Sequence, residues 1–316
     1  MLFRALRNDP RLRCYYEPLH PNLLDYVWEA TADRPDHAKS PLYAEYTPLA
    51  DSLESLHNAA LACCHHAALG SQDAAPGLKA YLHTLTASAP CVVLQFNRSF
   101  WMTRWLHRQC PDSTFVHVVR DPRSVVWSQL TTASGQRVRM DWPLLGRRFF
   151  SFSSGNLLNA FSSHAYCGAY QVSDYLTAGR QLDQTFQDDV TAWAQARLRA
   201  VQDARPFVQA LALWGAQVRV CHHHSRDAFG DRYQLIRYED LCRHPPHTLN
   251  RVYAAFPHGM PRPVKRHGAT CIHARQLAPW QTVASAEAHF RDGIQRAGIE
   301  PVLREVGYSL DIPSSI

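Results

Sequence analysis

The sequence predicts an α/β fold in which short parallel strands alternate with helices. Three segments of six residues are rich in branched and aromatic side chains, and each is followed by a helix-like pattern. These segments are Cys91–Phe96, Thr114–Val119 and Tyr233–Tyr238. Strands that alternate with helices favour a parallel sheet with crossover connections. The 316 residues, of which 46% are hydrophobic, suffice to bury one large core or two modest ones.

A long helical region is predicted between the second and third strands. Apolar side chains recur there close to the helical period, first near residues 186–198 and again after Pro206, a residue type favoured at the start of a helix. The apolar positions are Phe186, Val190, Trp193, Leu198, Phe207, Leu211, Trp214 and Val218. We interpret the two tryptophans as core residues.

One domain over residues 1–316 is favoured, because the sequence has no internal repeat and no linker that requires a second domain. Residues from about 131 to 230 are predicted to form a largely helical insertion that carries acceptor choice. Within it, residues 137–179 are rich in Phe, Ser, Tyr and Gly without a clear period, which favours a lid or an acceptor pocket.

Arginine supplies nearly all of the positive charge. Lys and Arg together number 33, only Lys39, Lys79 and Lys265 are lysines, and the formal net charge is +6. The planar guanidinium suits bidentate recognition of phosphate or sulfate, so an anionic ligand is favoured, with codon bias as the alternative explanation. The arginines are dispersed and no aromatic-basic motif is present, which argues against nucleic-acid binding.

Composition also indicates the compartment. No run of about 18 apolar residues occurs, and the first residues lack the apolar stretch of a signal peptide. We expect a cytoplasmic chain without a membrane segment, while an upstream anchor or signal stays open. Nine cysteines without paired spacing indicate reduced thiols. The runs Cys63–His66 and Cys221–His224 lack the spacing of zinc ligands, so no metal is expected.

The end of the second predicted strand carries the best candidate for a binding site. Arg120 follows the strand directly, and Ser128 lies two turns along the next helix. Asp121 can cap this helix, and Pro122 suits its first turn. Because open α/β sheets bind ligands at the carboxyl ends of their strands, a phosphate there would meet Arg120, the hydroxyl of Ser124 or Ser128, and the helix N-terminus. The alternative is an exposed turn with ordinary capping.

These residues resemble a known family. Arg-Asp-Pro-Arg-x-Val-Val-x-Ser after an apolar strand is similar to the 3′-phosphate-binding segment of sulfotransferases that use 3′-phosphoadenosine 5′-phosphosulfate (PAPS). In that family the Arg and the Ser eight positions later bind the 3′-phosphate, which implies this role for Arg120 and Ser128. The resemblance also implies a three-layer fold similar to that of P-loop nucleotide-binding proteins, with a parallel sheet between helices, and no metal.

A second segment carries the same resemblance. Residues 231–256 are similar to the strand, the Tyr-Glu-Asp-Leu sequence and the helix that follow in the family, which implies that Tyr238 lies against the adenine. Taken alone, a buried tyrosine with Glu239 and Asp240 capping the next helix would explain this segment equally well.

The C-terminal region offers a weaker match. Residues 275–281 and 303–308 resemble the tryptophan-marked loop and the closing helix of the family. By that resemblance Arg275 is a second ligand for the nucleotide phosphates, with a surface arginine as the alternative.

The N-terminal segment provides the candidate catalytic base. Residues 5–20 resemble the family's first helix and following turn, where carbohydrate- and protein-tyrosine-type members carry a glutamate that deprotonates the acceptor hydroxyl. Glu17 has this position, and a base beside the incoming oxygen suits sulfuryl transfer. An exposed loop glutamate before Pro18 is the alternative. Arg98, just past the first predicted strand, is a further candidate for contact with the acceptor or the reacting group.

One family segment has no counterpart. Family members carry a glycine-rich loop, Pro-Arg/Lys-Ser-Gly-Thr-Thr, just before the first helix, whereas this sequence begins at Met1 where that loop would end. Backbone amides of such a loop hold the 5′-phosphosulfate and stabilise the leaving phosphate. We therefore expect an N-terminally incomplete sheet, and we favour an N-terminally truncated reading frame over a degenerate relative.

The sequence hypothesis is a PAPS-dependent sulfotransferase. It would transfer a sulfuryl group to a hydroxyl or amine of a carbohydrate, a phenol or a peptide tyrosine, with Glu17 as general base. The alternative is a catalytically impaired nucleotide-binding relative that is not an enzyme. A nucleotide kinase is disfavoured, because the sequence contains no Walker loop.

Overall fold

The computed structural model describes residues 2–31, 42–64, 68–97, 99–130, 137–142, 146–151, 172–180, 182–256 and 286–310. Within them the fold is mixed α/β and mostly helical. The contacts divide the chain into two compact units: Met1–Thr114 with His244–His273, and Phe115–Arg243 with Ala274–Ile316. The expectation of one domain with a helical insertion stays a prediction.

The elements follow one another along the chain as short strands and helices of varied length. The strands are β1 (Arg13–Tyr16), β2 (Val92–Gln95), β3 (Phe115–Val119), β4 (Arg137–Trp142), β5 (Gly146–Ser151) and β6 (Tyr233–Arg237). The α-helices are α1 (Leu2–Arg7), α2 (Leu23–Thr31), α3 (Ala50–Cys64), α4 (Pro76–Ala87), α5 (Thr103–Gln109), α6 (Pro122–Leu130), α7 (Val172–Arg180), α8 (Asp189–Ala200), α9 (Pro206–Phe229), α10 (Tyr238–Arg243), α11 (Pro245–Ala254), α12 (Ala286–Ala297) and α13 (Glu300–Glu305). Short 3-10 turns span Ala44–Leu49, Leu182–Gln184 and Gly230–Arg232.

The first unit contains a parallel strand pair and a closely packed helix pair. β1 pairs with β2, and Tyr16 lies opposite Gln95 at their carboxyl ends. α4 starts at Pro76, and its residues Leu78, Leu82 and Leu85 recur at helical spacing and are buried. They form the buried face of α4, which packs against α3.

The second unit contains the parallel pair β3 and β6. Val119 lies opposite Arg237, so the two strands end at the same level. α6 follows β3 within three residues, and α10 begins directly after β6. The residues that follow the two strands therefore lie at the same edge of the pair, where α6 and α10 begin.

α9 is the long central helix of the second unit. It starts at Pro206, a residue type that is tolerated at the first position because its missing N–H would have no partner there. Leu211, Trp214 and Val218 are buried, and α9 packs against α8 and α12. Gly230, with φ of 56°, ends the helix in a conformation that favours glycine. The two helices predicted from apolar spacing are thus confirmed.

The three predicted strands are confirmed as β2, β3 and β6, each one or two residues shorter than its sequence segment. β1 was not predicted, because Arg13–Tyr16 was interpreted as the turn after the first helix. The antiparallel pairing of β4 with β5 also corrects an expectation, because the sequence analysis assigns no clear period to residues 137–179. The three-layer arrangement is not established by these pairs.

No α-helix in the described residues is both long enough and apolar enough to cross a membrane.

Candidate functional site

The structure brings two of the predicted site residues together. Because Val119 pairs with Arg237, Arg120 and Tyr238 are the first residues beyond the paired ends of β3 and β6. The guanidinium carbon of Arg120 lies 5.1 Å from the centroid of the Tyr238 ring. This distance is typical of a cation–π contact, which orients the guanidinium on the ring face. Both side chains are half-buried at the carboxyl edge of the strand pair.

One nitrogen of the half-buried Arg120 guanidinium has no hydrogen-bond partner among the described residues. Its Nε is buried, and no hydrogen-bond acceptor for it lies among the described residues. A buried charged donor without a partner is costly, so an anion at this place would lower the free energy of the site. The Nε atoms of Arg180, Arg197 and Arg219 are also buried without a hydrogen-bond acceptor among the described residues. What distinguishes Arg120 is its position at the ends of two parallel strands, beside the Tyr238 ring.

The carboxylates of Asp121 and Glu239, which adjoin Arg120 and Tyr238 in the sequence, accept hydrogen bonds from other groups. Asp121 accepts hydrogen bonds from the Arg123 guanidinium, with Nη2 2.6 Å from Oδ2 and Nε 2.9 Å from Oδ1. Glu239 accepts a hydrogen bond from the Asp121 amide at 3.1 Å. Each carboxylate thus has a hydrogen-bond partner of its own.

The start of α6 agrees with the predicted capping. Asp121 Oδ1 accepts the amide hydrogen of Arg123 at 2.8 Å, and Pro122 is the first helical residue. One amide of this helix N-terminus is therefore already bonded to a carboxylate of the chain, which reduces what the N-terminus can offer an anion. Ser124 is only 1% exposed, whereas Ser128 lies further along α6 and its side chain is outside the described residues.

Tyr238 keeps a neutral hydroxyl at this edge. Burial raises the pKa of Tyr238 above its usual value, and a hydrogen bond with Cys242 on the next turn of α10 contributes in the same direction. The phenol therefore stays protonated at neutral pH, and an aromatic ring of this kind can stack on a nucleobase.

Glu17 is placed in the first unit, directly after β1. The residue is only 7% exposed, so the alternative of an exposed loop glutamate is wrong. The Asn97 side-chain amide donates a hydrogen bond to Glu17 Oε1, and Gln95 Nε2 donates to Asn97 Oδ1 at 2.6 Å. Glu17 follows β1, Gln95 ends β2 and Asn97 lies two residues further on. The carboxyl edge of this strand pair therefore also carries a polar cluster.

His20 faces the same carboxylate. Its Nδ1 accepts the amide hydrogen of Asn22 at 3.0 Å, so the neutral ring carries its proton on Nε2. Nε2 lies 3.9 Å from Glu17 Oε2. The imidazole Nε2 thus lies near the Glu17 carboxylate, at a separation longer than a hydrogen bond.

Tyrosine hydroxyls fix the chain on both sides of Glu17. Tyr46 donates to the carbonyl oxygen of Tyr16 and Tyr81 to that of Pro18, both at 3.1 Å. The main chain that carries the Glu17 carboxylate is therefore held by two elements, which are α4 and the 3-10 turn Ala44–Leu49.

Two predicted site residues, Arg98 and Arg275, lie outside the described residues. The histidines of the run 221–224 point to different partners: His222 to the Tyr233 hydroxyl, His223 to Glu305 and His224 to Asp188. No group of three potential metal ligands occurs in the described part of the chain.

Sequence reasoning missed several residues around both clusters. Asn97 follows β2, and the rule that ligands bind at the carboxyl ends of strands could have found it. Trp214 was interpreted as a core residue and Glu239 as a helix cap, yet both bond the main chain next to Arg120. Nothing in the sequence signals these two contacts, because they depend on tertiary packing.

Comparison of the chain with protein-family models, with curated proteins and with solved structures finds no match. Function must therefore be inferred from the side chains themselves.

Proposed function

We propose that this protein is a PAPS-dependent sulfotransferase whose nucleotide site is formed by Arg120 and Tyr238. The observation that carries the proposal is the buried Arg120 Nε without an acceptor among the described residues, beside a tyrosine ring at the ends of two parallel strands. A phosphate is the ligand that a guanidinium in such a place binds best. The sequence resemblance around Arg120 supports the same ligand.

The proposed donor site assigns each residue one task. Arg120 binds the 3′-phosphate, and Ser128, eight residues later on α6, adds a hydroxyl. The Tyr238 ring holds the adenine and, through its contact with the guanidinium, orients Arg120. Arg275 is a second phosphate ligand in this proposal, and Arg98 contacts the acceptor.

The proposal also includes the fold and the location of the protein. The proposed fold has three layers, with a parallel sheet between helices, and the proposed location is the cytoplasm.

The reaction needs a base for the acceptor. The bound donor supplies the sulfuryl group, whose sulfur gains a bond to the acceptor oxygen or nitrogen while its bond to the 5′-phosphate oxygen breaks with the electron pair. Glu17 takes the proton that the acceptor loses. Its carboxylate is buried and fixed by Asn97, and such fixed orientation is what proton transfer requires. The acceptor class remains a carbohydrate, a phenol or a peptide tyrosine.

Calorimetric titration tests the donor site. The probes are 3′-phosphoadenosine 5′-phosphate and adenosine 5′-phosphate, which differ only in the 3′-phosphate. The wild-type chain should prefer the first probe, and Arg120→Ala should abolish that preference by weakening only the first probe, by about 10-fold to 100-fold for a lost charge-assisted contact.

The matched control is Arg296→Ala. Arg296 lies on α12 of the same unit and pairs with Asp292 at the surface, with 62% of its side chain exposed. This variant should bind both probes like the wild type. If Arg120→Ala leaves the preference for the 3′-phosphate unchanged, or if the wild type does not distinguish the probes, the proposed donor site is wrong.

Transfer is measured separately, as release of 3′-phosphoadenosine 5′-phosphate from PAPS in the presence of sugar, phenol and tyrosine-peptide acceptors. Acceptor-dependent release supports the enzyme. Binding of the nucleotide without release would instead support a binding protein that lacks turnover.

A further inference from the structure

Three consecutive residues at the end of β3 have a main-chain group bonded to a side chain from another element. The Val119 carbonyl is bonded by Tyr308, the Arg120 carbonyl by Trp214, and the Asp121 amide by Glu239. Hydrogen bonds of this kind replace the strand ladder where β3 leaves its partner. The turn that presents Arg120 is thus held at each residue.

Trp214 holds the centre of the turn from α9. Its indole Nε1 donates to the Arg120 carbonyl oxygen at 3.2 Å. Trp214 is only 7% exposed, so the ring is fixed by its surroundings and so is the direction of its N–H. The contact gives this core tryptophan a polar task that sequence reasoning did not assign.

Glu239 and Tyr308 hold the two flanks of the turn as a linked pair. Glu239 Oε1 accepts the Asp121 amide hydrogen at 3.1 Å, while Oε2 lies 2.5 Å from the Tyr308 hydroxyl. The same hydroxyl lies 3.0 Å from the Val119 carbonyl oxygen, so its one proton is shared by two acceptors.

The segment after α13 that carries Tyr308 is itself anchored on β6. The Arg237 guanidinium donates to the Gly307 carbonyl and lies 5.9 Å from the Tyr308 ring centroid. Gly307 has φ of 80°, a left-handed conformation that ends α13 and returns the chain to the strand edge. The Tyr308 hydroxyl is therefore held in place, and so are its contacts with Glu239 and with the Val119 carbonyl.

We infer that Trp214, Glu239 and Tyr308 are positioning residues that hold the Arg120 turn in its anion-binding geometry before a ligand arrives. Its consequence for ligand affinity rests on the proposed nucleotide site. None of the three is proposed to touch the nucleotide; each acts through the main chain of residues 119–121. A site whose main chain is already ordered loses less conformational entropy when the ligand binds, so affinity rises without any added contact.

Hydrogen exchange of the free protein tests the positioning itself, without any nucleotide. In Glu239→Ala the Asp121 amide loses its acceptor, and its exchange should become about tenfold faster or more. Glu239→Gln retains an acceptor oxygen and should restore slow exchange. If Glu239→Ala leaves exchange of this amide unchanged, the positioning role of Glu239 is overturned, whatever the nucleotide does.

Affinity for the two nucleotide probes tests the consequence. Trp214→Phe keeps an aromatic ring but removes the N–H, and Tyr308→Phe removes the hydroxyl. Each should weaken 3′-phosphoadenosine 5′-phosphate about threefold to tenfold and leave adenosine 5′-phosphate unchanged. A purely structural role would weaken both probes equally, and that result would overturn the inference for these residues.

Trp193→Phe is the matched control for Trp214→Phe. Trp193 lies on α8 of the same unit, where its ring contacts the Arg219 guanidinium at 4.4 Å from the centroid. This variant should keep the wild-type preference, and thermal unfolding checks that all variants fold. If the wild type shows no preference for the 3′-phosphate, the proposed function fails, while exchange at Asp121 still decides the positioning role.

Discussion

Glu17 combines two unfavourable features that its surroundings offset. Its φ is 43°, in the left-handed region where a non-glycine residue costs on the order of 1 kcal/mol. Its carboxylate is also buried, which requires hydrogen-bond partners such as the amide of Asn97. Glycine would avoid both costs but has no carboxylate. Strained residues cluster at functional sites, so a strained and buried glutamate beyond a strand end supports the proposed role as a base.

The substitution Glu17→Gln tests the proposed role of this carboxylate as a base. The amide oxygen of glutamine can still accept the Asn97 hydrogen bond, so we expect the stability and the affinity for 3′-phosphoadenosine 5′-phosphate to stay at wild-type levels. Sulfuryl transfer should fall by about 100-fold or more, because the base is lost. Glu54→Gln, at an exposed position on α3, is the control. Undiminished turnover in Glu17→Gln would remove Glu17 from the mechanism.

Among the elements, α3 and α4 approach so closely that one position admits only glycine. A Cβ added at Gly77 would lie 2.4 Å from the Ala59 carbonyl oxygen and 2.7 Å from its carbon. These are backbone atoms of α3, so the contact is relieved only if the two helices separate. Gly77 lies in the first turn of α4, and the close approach explains why a residue with poor helix propensity is found there.

Gly77→Ala should therefore destabilise the protein, by about 1–3 kcal/mol, although alanine is the better helix former. The control, Ala80→Gly at an exposed position of α4, should cost about 1 kcal/mol through helix propensity alone. Urea unfolding measures both variants. A stabilising effect of Gly77→Ala would show that the helices are not in contact at this position.

The elements also show what a sequence can and cannot predict. β2, β3 and β6 were predictable because each carries its own run of branched residues, whereas the pairing of β3 with β6, which places Arg120 beside Tyr238, has no signal in the sequence. β1 was not predictable, because its four residues carry no period and its partner lies far along the chain, with Arg13 opposite Val92. In β4, Val138, Met140 and Trp142 do alternate with polar residues, so this strand could have been predicted. The bond from Trp214 to Arg120 arises only when α9 is packed and has no local signature.

At the scale of the whole molecule, each unit buries a histidine that folding keeps neutral. Burial lowers the pKa of His57 in the first unit from 6.5 to about 4, although the His20 backbone opposes the shift. Burial, reinforced by His222, lowers the pKa of His117 in the second unit from 6.5 to about 3. His117 Nδ1 lies 3.2 Å from the Tyr233 hydroxyl, whose pKa burial raises, so this polar pair remains neutral.

These two shifts predict a loss of stability in acid. Between the folded and unfolded pKa values the unfolded chain binds the proton and the folded chain does not, so the free energy of unfolding falls as pH drops below 6.5. Each histidine contributes about 1.4 kcal/mol per pH unit to this slope, ending near pH 4 for His57 and near pH 3 for His117. Urea unfolding from pH 7 to 4 should show a shallower slope in His57→Leu and in His117→Asn than in the wild type. His83→Leu, at an exposed position on α4, is the control and should leave the slope unchanged. The free energy of unfolding could instead have the same slope against pH in the wild type and in both buried-histidine variants. That result would mean that these rings take up protons in the folded state, and the burial described for them would be wrong.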